Sequence, residues 1–286
     1  MSKHTKRKRR LKPQTAEKIA KIVIWSAAIL VLIVLLSILG DILIKGLPRL
    51  NWSFLSEVPR DMGRAGGVLS PLVGTLLVTA VAITIAVPFS VGAAFYLAEY
   101  TKDNLVTRII RFSIESLAAI PSIVYALFGF IFFVIQLNLG WSIISGGLTL
   151  AIMILPIIIR TSEEAILSVP QVYREASYCL GATKWQTIIK VVFPSAMRGI
   201  TNGVILSIGA CVAETAAIML TAGSVLRMPE SLLDPTRTLA VHFFILAREG
   251  ISMENAYGAA ALLIILIFTI NVVANALVNK FARHSH

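Results

Sequence analysis

The sequence predicts an all-α integral membrane protein built as a bundle of six membrane-spanning helices. Of its 286 residues, 57% are hydrophobic and only 14% are charged, with a mean hydropathy of +0.82. Soluble domains carry about 25% charged residues. Uncharged runs of 19, 34 and 44 residues match or exceed the roughly 20 helical residues that cross a bilayer; they cover residues 22–40, 65–98 and 116–159. This pattern excludes a cytosolic enzyme, a disulfide scaffold and a disordered chain.

The spans follow in order from these runs. A basic tail, residues 1–21, precedes the first span and holds nine Lys or Arg. The 44-residue run would be about 66 Å long as one helix, twice the hydrocarbon thickness, so it must fold back near Gln136 to Gly140. No segment shows the alternating pattern of a membrane β-barrel. The six spans are expected at residues 22–44, 70–98, 112–136, 143–160, 199–223 and 256–279, with a core domain over 70–279 and a final tail at 280–286.

Basic residues in the connections predict the orientation. The N-terminal tail, the connection 99–115, the loop 160–198 and the C-terminal tail hold 19 of the 26 Lys and Arg. Basic residues accumulate in cytoplasmic connections, so both termini are expected in the cytoplasm. The N-terminal tail is therefore interpreted as an orientation signal that can also contact anionic lipid; nucleic-acid binding is not expected, because no folded reader accompanies it.

Prolines 71, 88, 121 and 156 lie at or inside the expected spans. Each removes a backbone hydrogen bond that neighbouring groups must replace. We expect kinked helices in a packed bundle.

The loop 161–198 carries helix signals. Thr161-x-x-Glu164, Ser168-x-x-Gln171 and Thr183-x-x-Gln186 have the spacing of capping boxes, and Gly181 is placed to end a helix. They predict a helix, a glycine turn at 181 and a second helix ending near Pro194. Such a pair of helices is either a docking device or a stabilising interfacial pair.

Residues in this loop resemble a known family. The loop resembles the EAA loop of ABC-transporter permeases, whose pattern is Glu-Ala-Ala, three residues, Gly, nine residues and Ile-x-Leu-Pro. This chain has Glu175-Ala176-Ser177, then Gly181 after three residues, and it ends the pattern with Val191-Val192-Phe193-Pro194. The resemblance covers about residues 66–276 and narrows to phosphate-transporter permeases of the PstA type. The further matching segments are Gly66-Gly67, Val73-Gly74-Thr75-Leu76, Tyr96-Leu97-Ala98-Glu99-Tyr100, Ile120-Pro121-Ser122-Ile123-Val124, Leu155-Pro156, Arg160-Thr161, Glu163-Glu164, Ala213-Glu214-Thr215-Ala216 and Arg237-Thr238-Leu239-Ala240-Val241-His242.

The resemblance implies a type I importer permease in a prokaryotic cell membrane. It implies a second permease similar to PstC, ATPase subunits similar to PstB and an extracytoplasmic phosphate-binding protein similar to PstS. ATP and Mg would be bound by the ATPase, and this chain would hold no cofactor and catalyse no reaction; it also lacks the Gly-x-x-x-x-Gly-Lys-Ser/Thr phosphate loop. The residues implied for coupling to the ATPase are Glu175, Ala176, Ser177, Gly181 and Pro194. Alternatives are import of molybdate, sulfate or phosphonate, or an ATP-independent channel.

Glu214 is the only charged residue between Gly199 and Leu226. A carboxylate inside a span costs about 2.5 to 3.5 kcal/mol on insertion scales, so it should face protein or water. On an ideal helix it shares a face with Ser207 and the small-residue series that continues to Thr215. Glu214, Thr215 and Ser207 therefore either pack two helices together or line the cargo path. Related permeases often have an Arg where this chain has Ala210. No metal site is expected from the four histidines.

Overall fold

The computed structural model describes residues 13–283, which divide into two compact units with the boundary between Lys45 and Gly46. The described part of the first unit consists of helix α1, Pro13–Gly46, whose last residue belongs to the second unit. It holds ion pairs one turn apart near both ends, between Glu17 and Lys21 at 2.9 Å and between Asp41 and Lys45 at 2.6 Å. Residues 13–21, expected to belong to the basic tail, are the first turns of this helix. The remainder of that tail, residues 1–12, lies outside the described residues.

In the described part of the second unit, the regular secondary structure consists of helices. Its helices are α2 (Trp52–Ser56), α3 (Leu69–Phe95), α4 (Leu105–Ala118), α5 (Ser122–Gly129), α6 (Ile143–Leu167), α7 (Gln171–Cys179), α8 (Lys184–Thr187), α9 (Phe193–Ala213), α10 (Ala216–Thr221), α11 (Leu239–Arg248) and α12 (Met253–Arg283). π-helical turns continue α3 through Tyr96–Tyr100, continue α5 through Phe130–Gln136 and join α8 to α9 through Ile188–Val192. Helix α12 runs into the expected tail at 280–286, of which 284–286 lie outside the described residues.

Between residues 13 and 283, five helices are long and apolar enough to cross a membrane, and a bent pair could form a sixth span. The five cover Glu17–Arg49, Leu69–Tyr100, Ile143–Leu167, Lys184–Ala213 and Met253–Ala276. The helical membrane architecture predicted from the uncharged runs is therefore confirmed. The fourth span, expected to end at residue 160, continues to Leu167.

Helix α6 packs against α3, α4, α5, α9 and α10, and its buried side chains join two apolar clusters. Leu150 and Ile154 pack with Val78 and Ala82 of α3, and Ile166 packs with Val192 further along the chain. Small residues let α9 approach α6 closely, because a Cβ added to Gly199 would lie 2.5 Å from the Cβ of Ala165. Helices α3, α6 and α9 thus form the core of the second unit.

The third span is not the single helix expected over 112–136. Helix α4 ends at Ala118, α5 begins at Ser122, and the two axes differ by 94°. Pro121 causes the break, because proline lacks an N–H and disfavours helical geometry in the residue before it. The phenol of Tyr125 bridges the bend by donating to the carbonyl of Leu117 at 2.8 Å.

The expected turn after this segment is confirmed. The helix ends at Gln136, and Asn138 and Gly140 take positive φ angles of 52° and 63° before α6 begins. A backbone in this region reverses direction at little cost when glycine occupies it.

The fifth span is also interrupted, contrary to the expectation of one helix over 199–223. Helix α9 ends at Ala213, Glu214 is extended with ψ 133°, and α10 resumes at Ala216. The break places Glu214 at a helix end instead of halfway along a continuous helix.

Candidate functional site

The loop between the fourth and fifth spans is shorter than predicted. Because Thr161 and Glu164 lie inside α6, the expected capping role for them is wrong. The capping box predicted at Ser168 is also wrong, because its hydroxyl donates to the carbonyl of Ala165 at 2.7 Å and Pro170 precedes the first turn of α7. The loop expected over 161–198 is therefore confined to 168–183.

The glycine turn lies where the sequence predicts it. Gly181 has φ +83°, and its N–H donates to the carbonyl of Tyr178 at 2.9 Å. Thr183 and Gln186 then form the predicted capping box. The N–H of Gln186 donates to Oγ1 of Thr183 at 3.3 Å, and the N–H of Thr183 donates to Oε1 of Gln186 at 2.9 Å. Helix α7, this turn and α8, residues 171–187, are called the elbow below.

The second elbow helix does not end near Pro194, as the sequence predicted. It continues through the π-helical turn Ile188–Val192 into α9 and reaches Ala213. Pro194 is accommodated in the first turn of α9, and the Ser195 hydroxyl donates to the carbonyl of Val191 at 2.6 Å. Local π geometry and a hydroxyl donor are the usual means by which a membrane helix absorbs a proline.

The residues proposed for coupling occupy two environments. Glu175, Ala176 and Gly181 are exposed on the elbow, and Pro194 is exposed beyond it. Ser177 is buried, and its hydroxyl lies 2.9 Å from that of Thr187. The exposed side of the elbow carries several large apolar or aromatic residues. They are Val172, Tyr173, Tyr178, Leu180 and Trp185, of which Leu180 is 89% exposed.

Arg174 was not singled out from the sequence, yet it is the most extensively hydrogen-bonded side chain of the elbow. Its Nε and Nη2 donate to Oε1 of Glu99 at 3.0 and 2.7 Å. Its Nη1 and Nη2 also donate to the carbonyls of Val169 and Ile166 at 2.6 and 2.9 Å. The Arg174 and Glu99 side chains are 9% and 7% exposed, so the pair is buried. An apolar-rich segment containing one arginine offers no local signal for a partner 75 residues away.

The second candidate group is not assembled as predicted. Glu214 is half-buried, and its Oε1 accepts from the N–H of Ala217 at 3.1 Å, which caps the short helix α10. Ser207 is buried and bonds within its own helix, to the carbonyl of Gly203 at 2.9 Å. Thr215 lies in the break itself, and its hydroxyl donates to the carbonyl of Ala213 at 3.4 Å. Glu214 and Thr215 are therefore adjacent, whereas Ser207 lies two turns away.

Ser207 nevertheless lies on the predicted packing face. A Cβ added to Gly203 would lie 2.0 Å from Oγ1 of Thr161, so α6 contacts this face of α9. Across residues 13–283, no group of three or more His, Cys, Asp and Glu could hold a metal ion.

Comparison with known proteins agrees with this architecture. The model of the family described as "Binding-protein-dependent transport system inner membrane component" matches residues 86–285. The chain is 32% identical over 274 residues to "Probable ABC transporter permease protein YqgI" of Bacillus subtilis (strain 168), covering 90% of this chain and 93% of that protein. It is 33% identical over 273 residues to "Phosphate transport system permease protein PstA 1" of Mycobacterium tuberculosis (strain CDC 1551 / Oshkosh), covering 92% and 89% respectively.

A solved structure shares the fold. A chain of a bacterial alginate ABC transporter, solved in complex with its pentasaccharide-bound periplasmic protein, matches with a TM-score of 0.70 at 12% identity, covering 94% of this chain and 96% of that one. At this identity the likeness concerns the fold alone. The family match and the two relatives concern the sequence itself and extend over most of the chain. This chain therefore belongs to the inner membrane components of binding-protein-dependent transport systems and is a permease subunit with the fold of type I ABC importers.

Proposed function

We propose that this chain is a transmembrane permease subunit of an ATP-driven phosphate importer. The observation that carries the proposal is the elbow with its Glu-Ala-Ser and glycine pattern, in a chain similar over nine-tenths of its length to a phosphate transport permease. The subunit forms the translocation path with a second permease similar to PstC, and an extracytoplasmic binding protein similar to PstS delivers phosphate. The importer lies in a prokaryotic cell membrane.

The energy comes from a partner. ATP and Mg bind to ATPase subunits similar to PstB, and this chain moves its cargo through conformational change. The exposed side of the elbow supports this role, because a carboxylate, Glu175, lies beside Ala176 and near the exposed apolar side chains of Val172 and Leu180. An apolar patch with one charged group suits a groove on another protein. The elbow and both termini are on the cytoplasmic side, as the distribution of Lys and Arg predicts.

Glu214 marks the segment of the fifth span where cargo passes or where the two permeases pack. A broken helix inside a membrane protein is tolerated where it is buried in protein or lines a cavity. The carboxylate caps α10 and is half-buried, so part of it is accessible from outside this chain. Because a carboxylate repels a phosphate anion, we assign it the shaping of the path and not direct attraction of the cargo.

The test is reconstitution of the two permeases, the ATPase and the binding protein in liposomes. We expect uptake of labelled phosphate that requires ATP and the binding protein and that excess molybdate, sulfate or phosphonate does not suppress. Uptake of one of those oxyanions in place of phosphate would overturn the assigned cargo. Anion flux through this chain without ATP or partners would overturn the coupled importer in favour of a channel.

A further inference from the structure

The C-terminal end of the second span is held by both helices of the elbow. Glu99 lies in the π-helical turn Tyr96–Tyr100 that ends this span, and its Oε1 accepts two hydrogen bonds from Arg174 of α7, at 3.0 and 2.7 Å. Lys184, the first residue of α8, donates through Nζ to the backbone carbonyl of the same Glu99. Its Nζ also lies 4.7 Å from the ring centroid of Tyr100, a distance typical of cation–π contact.

Arg174 joins three elements at one point. Besides Glu99 it donates to the carbonyls of Ile166, at the end of α6, and Val169, in the short segment before α7. All of these bonds are charge-assisted, and the planar guanidinium holds its acceptors in a defined geometry. If α7 rotated or shifted while Glu99 stayed in place, the buried ion pair would break. Breaking it would leave an uncompensated charge in an apolar setting, so α7 and Glu99 should move together.

Two helix ends that contact or leave the elbow share an irregular backbone geometry. Both the end of the second span and the segment after α8 are π-helical, over Tyr96–Tyr100 and Ile188–Val192. Single π-helical turns recur at functional sites. The two segments are neighbours, since the rings of Phe95 and Phe193 at their borders lie 5.8 Å apart. Each π-helical turn lies between the long apolar part of its helix and the elbow.

We propose that Arg174 and Glu99 form the mechanical joint through which movement of the elbow reaches the second span. The inference rests on the proposed function and names positioning residues for it. Arg174 and Glu99 do not contact ATP or cargo; they convert displacement of the elbow by the ATPase into displacement of α3, which packs along α6 in the core.

The experiment measures coupling in the complete reconstituted transporter. Glu99→Gln and Arg174→Lys are compared with wild type for phosphate uptake and for ATP hydrolysis stimulated by the binding protein. We expect Glu99→Gln to lower the ratio of phosphate transported to ATP hydrolysed by about tenfold, with co-purification of the ATPase unchanged. Arg174→Lys keeps the charge and loses the planar fork, so an intermediate ratio is expected.

Glu164→Gln is the matched control. It removes an ion pair of 3.1 Å with Arg160, one turn earlier on the exposed face of α6. Exposed pairs contribute little, so the ratio should change by less than about twofold. If the ion pair only stabilised the fold, both variants would lose phosphate uptake and ATP hydrolysis in parallel. That result would overturn the proposal, and so would a wild-type ratio in both test variants.

A second measurement keeps the proposal testable if Glu99→Gln does not assemble. Glu99→Cys and Arg174→Cys are combined in a Cys179→Ser background, because Cys179 is exposed whereas Cys211 is buried. We expect the double-cysteine protein without a linker to hydrolyse ATP but to take up little phosphate. A short bis-methanethiosulfonate linker between the two thiols should restore the ratio of phosphate transported to ATP hydrolysed. If mass spectrometry shows the link and the ratio stays low, the joint is wrong. Absence of phosphate uptake by wild type would instead contradict the proposed function.

Discussion

The hydroxyls of Ser177 and Thr187 share a hydrogen bond of 2.9 Å between the two helices of the elbow. Both residues are buried, and ten positions separate them along the chain. Ser177 occupies the third position of the Glu-Ala-Ser segment that resembles the EAA pattern. In this chain the hydroxyl supplies an interhelical bond inside the elbow.

Replacing Ser177 by alanine should loosen the elbow. The hydroxyl of Thr187 would stay buried without its partner, at a cost of about 1 to 3 kcal/mol, so thermal unfolding of the purified protein should occur at a lower temperature. Ser177→Ala combined with Thr187→Val removes both polar groups and should restore most of the loss. Equal unfolding temperatures for wild type and Ser177→Ala would show that the bond contributes nothing.

Gly181 should tolerate asparagine better than valine. Its φ of +83° is unfavourable for a residue with a Cβ, although no atom lies within 4 Å of the position where that Cβ would be. The cost is therefore in the backbone, about 1 to 2 kcal/mol for valine, and asparagine enters this region more readily. Gly181→Val should leave membrane insertion intact and reduce co-purification of the ATPase, and Gly181→Asn should reduce it less.

Gly92→Val is the matched control for that experiment. Gly92 lies in the second span with open space at its Cβ position and no positive φ. Undiminished co-purification and normal transport with Gly181→Val would count against a docking role for the elbow.

Gly203→Val should separate α6 from α9. The new Cβ would lie 2.0 Å from Oγ1 and 2.8 Å from Cβ of Thr161, both on the neighbouring helix. Overpacking of this kind costs about 1 to 3 kcal/mol, so the unfolding temperature should fall. Gly209→Val, on the same helix with nothing within 4 Å of its Cβ position, is the control. If both variants lose the same stability, helix propensity and not the close contact is responsible.

Glu214→Gln should separate the capping role of this residue from its charge. Glutamine keeps an Oε1 that can accept from the N–H of Ala217, so α10 should stay intact. If the carboxylate shapes the cargo path, the pH dependence of phosphate uptake between pH 5 and 8 should differ between Glu214→Gln and wild type. Glu214→Leu removes the cap as well and should also lower thermal stability. Identical uptake by wild type and Glu214→Gln across that range would leave only the packing role.

His242 should make the second unit sensitive to acid. It lies in α11, whose ten residues, about 15 Å, are too short to span the membrane. Burial and the nearby Arg237 lower the pKa of His242 to about 3. Nη1 of Arg237 lies 3.5 Å from Nδ1 of His242, and because a guanidinium only donates, this contact favours the neutral ring with Nδ1 as the acceptor.

The lowered pKa of His242 makes the folded protein less stable at acidic pH. The unfolded chain binds a proton near pH 6.5 and the folded chain does not, so stability falls as pH falls below about 6.5, by about 2 kcal/mol at pH 5. Wild type should therefore lose more thermal stability than His242→Gln between pH 7.5 and pH 5. The comparison uses this loss and not the absolute unfolding temperature, and equal losses would contradict the buried neutral state.

Several features of the fold could be predicted from local sequence. The uncharged runs, the turn after Gln136, the glycine turn at 181 and the capping box at Thr183 each depend on a few neighbouring residues. The packing face of α9 could also be predicted, because Gly203 and Ser207 repeat at the spacing of one helix face. Each of these signals concerns hydropathy or backbone geometry within about two helical turns.

The predictions that were wrong concern residues whose local signals allow more than one arrangement. Pro121 ends a helix, whereas Pro194 continues one, because a π-helical turn and the Ser195 hydroxyl compensate for the second proline. Ser168 could cap α7 by its spacing but bonds back into α6. In each case two arrangements satisfy the same local rule, and packing selects one of them.

The amino-acid sequence by itself determined that this chain crosses a membrane as helices and carries a helix, a glycine turn at 181 and a second helix, because hydropathy, glycine and capping residues act over a few residues. Only the tertiary structure decided that Arg174 pairs with Glu99 and that Glu214 lies at a helix break. A buried ion pair needs both partners in one place, and residues 75 positions apart meet only when the helices between them have packed.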